Sequence, residues 1–177
     1  MIHRLIMTGS RNTAEITIRE AGVEDVETIL GIYEAARSFM RSQGNMTQWV
    51  NGYPSRDHVL ADIERGACFI GIDADGEVVM AFAFIIGDDP TYGVIEGGRW
   101  LNDEPYGTIH RLGSTGKRSG MLARCVDFCS QRISNLRLDT HADNATMLNA
   151  VERLGFKRCG IIYCQDGTPR IAFQRSL

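Results

Sequence analysis

Lysine is nearly absent from this 177-residue chain: among nineteen basic residues only Lys117 and Lys157 are lysine. The formal net charge is -3 at pH 7 and the pI is near 5.8. No basic stripe runs along the sequence, which argues against a nucleic-acid partner and against general attraction to acidic membranes. No run reaches the ~20 apolar residues that a membrane-spanning helix needs, so no membrane association is expected. The opening MIHRLIMTGSRNT has too short an apolar part, and no cleavage pattern, for a signal peptide. Residues 1–13 read as a flexible lead-in and 14–177 as one domain. Paired cysteines are also missing. The five cysteines are an odd number and none forms CxxC, which suits a reduced, cytoplasmic protein rather than a disulfide framework. Cys125 and Cys129 stand four apart on a predicted helix face and read as packing. The other ligands of a metal site lack plausible spacing, so no metal is expected. There are no repeats, no low-complexity tract and no interior linker.

What is present is ordinary for a globular domain: 44% hydrophobic and 23% charged residues, enough for one well-buried core. EITIRE (15–20) alternates as a strand. Val26, Ile29, Leu30, Tyr33, Ala36 and Met40 share one helical face, which Gly44 closes. Ser55 is the expected N-cap of a second helix ended by Gly66. ACFIGID and EVVMAFAFII flank Asp75-Gly76, a strong hairpin signal. The polar, Gly-rich stretch 88–105 reads as irregular, with a short strand expected around Val94. Further on come a strand, YGTIHRLGS, a helix from Ser119 to Arg132, a strand, NLRLDT, and a helix begun by Asp143 or Asn144 and stopped at Gly155. KRCGIIYC and RIAFQ close the chain as two strands around QDGTP. The order β α α β β β α β α β β mixes hairpins with one central β-α-β-α passage. It predicts an α/β (α+β) domain with a single mixed, mostly antiparallel sheet.

The passage LGSTGKRSGMLARCVDFC (112–129) sets three glycines and two adjacent cations ahead of an apolar helical run. A P-loop would need glycine at 111 and Ser or Thr at 118, where Arg111 and Arg118 stand, so no magnesium nucleotide is implied. The gaps between Gly113, Gly116 and Gly120 do not fit GxGxxG either. A strand, a glycine-bearing loop and a helix N-terminus nevertheless form a natural anion site. The loop alone does not choose between that and a plain tight turn with a solvated Lys-Arg pair.

A second passage, RLDTHADNATMLNAVERLGFKRCG, bears on the choice. Together the two passages resemble the GNAT superfamily of acyl-CoA-dependent N-acyltransferases, and the element order from about residue 15 to 174 is similar to that fold, with helices on both faces of the sheet. The resemblance implies acetyl-CoA as co-substrate, its pyrophosphate held by Lys117, Arg118, Ser119, Gly120, Met121 and Leu122, with Leu112, Gly113 and Ser114 on the strand leading in. It implies that Asn144 stands beside the pantetheine arm and that a backbone N–H near Leu112 serves the oxyanion. Three positions depart from the family pattern. Lys117 replaces Arg or Gln, Leu122 replaces Gly or Ala, and Val151 replaces a tyrosine that protonates the leaving thiolate in many relatives.

Acetyl transfer to an amine needs a base, because alkyl amines are mostly protonated near neutral pH. His110, Glu96 and Glu104 are the candidates, with His110 first because its ordinary pKa of about 6.5 suits the task. A histidine packed beside the sheet is the plainer reading of the same residue. His141 reads as a strand-end residue near the next helix cap. Tyr106, on the same strand face as His110, and Tyr163 are candidate acids. Trp49 and Tyr53, in the loop where the family builds its acceptor pocket, are candidate acceptor-binding residues; a core cap is the alternative for Trp49. Cys159 and Cys164 have no evident His partner, which disfavours a covalent route. The expected reaction is direct attack by a small-molecule or peptide amine, with a weak or inactive CoA-binding sensor as the alternative. The fold is compatible with a homodimer, which nothing in the sequence requires.

Overall fold

The computed structural model describes residues 15–177; the lead-in expected over residues 1–13 lies outside the described residues. Strand β1 (Thr17–Glu20) enters helix α1 (Val26–Ser42) through a 3-10 turn at Val23–Asp25. Asp25 fixes that turn by accepting the Gly22 N–H and two Arg19 hydrogen bonds of 2.8 and 3.0 Å. The bonds from Arg19 outweigh burial and hold its carboxyl below the usual range. Along α1 the buried stripe is Val26, Ile29, Ile32, Tyr33 and Ala36. Leu30 and Met40, expected on that stripe, are only half-buried.

Helix α2 (Arg56–Glu64) follows, with Ser55 at its N-cap. Strands β2 (Cys68–Ile72) and β3 (Val78–Ile86) then form the expected hairpin. Gly76 turns it with φ +80°, where a side chain would be strained. The next elements are β4 (Gly107–Ser114), α3 (Met121–Ser130), β5 (Asn135–Thr140), α4 (Ala145–Arg153), β6 (Lys157–Tyr163) and β7 (Pro169–Ser176). No strand forms at Val94. The segment there has a 3-10 turn at Pro90–Tyr92 and a single bridge, Glu96 to Ile161. The backbone presses so closely on β6 that a Cβ on Gly98 would lie 1.9 Å from the Cys159 carbonyl oxygen.

The seven strands form one sheet in the order β1-β2-β3-β4-β5-β7-β6, and only β4–β5 is parallel. Because successive side chains point to opposite faces, neighbours on one strand enter different cores. Phe69, Met80, Phe82, Leu138 and Phe173 pack with Met121 and Cys125 of α3 and Val151 of α4. Ile70 and Ala81 pack on the other face with Ile29, Tyr33 and Trp49. Ala172 and Ile162 are also on that second face, under Tyr92 and Tyr106. So α1 and α2 cover one half of this face, and the segment 87–106 covers the other.

Candidate active site

Between the two covers lies a gap in the sheet itself. β4 and β5 pair at only two positions, Gly107 with Leu136 and Thr108 with Arg137. The cause lies on β4. Its pairing with β3 runs from Ala83–His110 to Ala81–Gly113, so two β4 residues, Arg111 and Leu112, stand opposite Phe82 alone. The extra residue bends the strand. Arg111 has φ +52°, which costs a non-glycine residue about 1–3 kcal/mol. A clamp holds it there. Asp62 of α2 accepts Arg111 Nε at 2.8 Å and a second guanidinium nitrogen at 2.7 Å, and a third donates to the Tyr53 hydroxyl at 3.0 Å. The Asp62 side chain is 2% exposed and also accepts Arg65.

His110, one residue before the bulge, has its Nε2 2.6 Å from Asp89 Oδ2. Asp89 also accepts the Thr91 N–H and hydroxyl, and its own N–H donates to the Tyr106 hydroxyl. Burial pushes the Asp89 carboxyl up, but the hydrogen bonds from His110 and Thr91 outweigh it and hold the pKa at about 2. An ionised carboxylate only accepts. The His110 proton therefore resides on Nε2, and in the neutral ring Nδ1 carries the lone pair. That is the arrangement a general base needs. Three residues after Asp89, Tyr92 donates to Asp139 Oδ2 of β5 at 2.7 Å, with its ring 6.0 Å from that of His110. Burial, and then the Asp139 charge, raise the Tyr92 hydroxyl well above its ordinary pKa, so it stays a donor.

The structure brings His110 and Tyr106 together through Asp89. Tyr106 is buried, with the Arg137 guanidinium 3.9 Å over its ring. Tyr163 stands apart on the edge strand β6, its hydroxyl donating to Glu96 at 2.8 Å. Glu104 is exposed, and its carbonyl accepts Asn135. Val151 is fully buried in the core against α3 and the sheet.

At the far end of β4, Leu112, Gly113 and Ser114 lead into the glycine-bearing loop, and Gly120 caps α3 with φ +77°. The Arg124 N–H donates to the Gly120 carbonyl, so the N–H groups ahead of it, Met121 and Leu122 among them, have no partner one turn back within the helix. This end can hold an anion. The cations expected to assist are committed elsewhere. Lys117 pairs with Glu77 at 2.9 Å, and Arg118 with Asp73 and Asp75 at 2.9 and 3.0 Å. Ser119 is exposed beside them.

Trp49 is 8% exposed and packs edge-on against Tyr33 and Tyr53, plugging the core under its loop. Tyr53 reaches toward the gap, where it meets Arg111. The same loop bridges to the β5–α4 connection. Thr47 bonds His141 Nε2 at 2.9 Å, and Asn144 donates to Gln48 at 3.2 Å while accepting the Met147 N–H as N-cap. Asp143 N–H donates to His141 Nδ1, so His141 sits at the cap, as its place in the sequence suggested.

Asp89, Tyr92, Arg111, Asp62 and Asp139 were not among the site residues that the sequence pointed to. The one local signal was Asp89-Pro90, an N-cap followed by proline at the first helical position. Among the described residues no group of His, Cys, Asp and Glu could hold a metal ion.

No family model matches the sequence, and no curated relative matches it. Solved structures do. A GNAT-family acetyltransferase from Streptococcus agalactiae is 31% identical, with a TM-score of 0.81 over 92% of this chain and 95% of that one. A GNAT-family acetyltransferase from Listeria monocytogenes is 20% identical, with a TM-score of 0.69 over 93% and 96%. The ribosomal-protein-S18-alanine N-acetyltransferase from Escherichia coli is 16% identical, with a TM-score of 0.59 over 92% and 94%. The last two likenesses speak to the fold alone.

Proposed function

The chain belongs to the GNAT family of acetyltransferases, and on that premise we propose that it acetylates a primary amine by direct attack in a ternary complex, with His110 as the general base. The observation that carries the reading is the 2.6 Å bond between His110 Nε2 and Asp89, which leaves Nδ1 as the proton acceptor. Acetyl-CoA, held with its pyrophosphate at the start of α3, supplies a thioester whose C–S bond breaks as the amine nitrogen bonds the acetyl carbon. The residues fit that co-substrate. The β4–β5 gap leaves backbone groups of β4 unpaired beyond Thr108, and Gly120 leaves open space at the helix mouth.

The amine arrives protonated and must shed one proton to expose its lone pair. His110 Nδ1 takes it, and the Asp89 carboxylate balances the imidazolium that forms. The nitrogen releases a second proton as the amide forms, and one of the two restores the departing thiol. The bulge at Arg111 sets the backbone beside the reacting carbonyl, where an N–H near Leu112 is the oxyanion donor.

A panel of amines, with free thiol detected, tests the reading. His110→Gln should lower kcat by about 10²- to 10⁴-fold with little change in the acetyl-CoA KM. A variant that keeps wild-type kcat removes His110 from the role.

A further inference from the structure

A cavity of about 310 Å³ is lined by Pro90, Thr91, Val94, Tyr163, Cys164 and Gln165, and Pro90 directly follows Asp89, the partner of His110. We propose that it is the acceptor pocket, and that the acceptor is a small monoamine with an uncharged, apolar flank. This rests on the reading of His110 as base. The flank lies between Pro90, Val94 and Tyr163, and the nitrogen lies against Asp139 and His110.

The short turn Pro90–Tyr92 links the cavity to the chemistry. Its N-cap, Asp89, bonds His110, and its last residue, Tyr92, bonds Asp139. The two residues between, Pro90 and Thr91, form the cavity wall. A molecule seated on that wall is thus within one short turn of both groups. The opposite wall leads to the same carboxylate. Burial is the main cause of the raised Cys164 thiol pKa, Arg170 opposes it, and the Asp139 charge adds to it. Both charges therefore bear on this wall, Arg170 ahead of Asp139.

The lining residues carry no formal charge. The Thr91 hydroxyl is spent on Asp89 at 2.6 Å. Val94 is 69% exposed and Tyr163 40%, so apolar surface stands open at the mouth. The volume is at the low end of the ~300–1,000 Å³ usual for small-molecule sites. A second ammonium on the acceptor would lose hydration against an uncharged wall. The carboxylate that meets the lining residue Tyr163, Glu96, is already engaged by its hydroxyl. An acceptor carboxylate placed beside the amine would face Asp139, and the one cation that bears on the lining, Arg170, is turned to the Thr168 hydroxyl and the Pro169 carbonyl.

The test compares n-butylamine and 2-phenylethylamine with 1,4-diaminobutane and glycine, at saturating acetyl-CoA. The two apolar monoamines should give kcat/KM at least tenfold above the other two. Val94→Ser should raise their KM about tenfold, the worth of one buried valine, and affect kcat less. A preference for the diamine or for glycine, in a protein that turns over, overturns the pocket assignment and leaves the base intact. An equal effect of Val94→Ser on all four amines does the same. If no amine releases thiol, the catalytic reading fails instead, and calorimetry with CoA present decides the pocket. Binding of 2-phenylethylamine but not glycine supports it; binding of neither, or of glycine alone, overturns it.

Discussion

At the scale of single residues, the site depends on which atom holds a proton. Asp89 keeps the His110 proton on Nε2 because its carboxylate stays ionised down to about pH 2. An amide at that position offers a donor as well as an acceptor, so the ring tautomer is no longer enforced. Asp89→Asn should therefore lower kcat and flatten the acidic limb of its pH profile, read by thiol release across pH 5 to 9. The same carboxylate contributes to stability with a definite sign. Its folded pKa lies below the ordinary value of 3.8, so its contribution is fully present above about pH 4. It is lost as the pH falls toward about 2. Thermal melts of wild type and Asp89→Asn should converge across that window.

At the scale of elements, two pairings between distant segments govern what β4 can do. The first is Asp62 with Arg111. Asp62→Asn would leave a buried guanidinium without its charge partner, which typically costs about 3–5 kcal/mol. Because Arg111 is also the left-handed residue of the bulge, the loss should extend beyond stability. Denaturant melts should show the destabilisation. Kinetics at a temperature where the variant is folded should show kcat falling more than either KM. The second pairing ties the β4–α3 loop to the β2–β3 hairpin. Lys117 and Glu77 are both largely exposed, and such pairs are weak, so a pyrophosphate competes easily for the lysine. Glu77→Gln should free Lys117 and tighten CoA binding a few-fold in calorimetry. The gain should shrink as salt is added, since exposed charges are screened.

At the scale of the molecule, the order of elements was legible because each carries a local signature. The hairpin rested on Asp75-Gly76, the second helix on Ser55 and Gly66, and the α3 mouth on Gly120, all correct within two residues or so. Val94 misled because an apolar residue between glycines resembles a short strand, whereas the close approach at Gly98 allows only one bridge. The site was legible in outline only. His110 stood out by chemistry, but its partner is 21 residues away and the partner of Arg111 is 49 away. No periodicity links such positions. The Lys117-Arg118 pair read as free positive charge because the three carboxylates that engage it lie across a hairpin some 40 residues earlier.

The two-rung pairing of β4 with β5 has a further consequence for how the fold breathes. The middle of a seven-stranded sheet is ordinarily where amides are slowest to exchange with solvent, since opening them requires global unfolding. Here the middle contains an edge. Amides that face the gap past Thr108 and Arg137 should exchange with deuterium orders of magnitude faster than those of β3 or β7, although they sit at the centre of the molecule. Adding CoA should slow them selectively. A hydrogen-exchange map in which those central amides are as protected as their neighbours, with and without CoA, would mean that the gap is closed in solution.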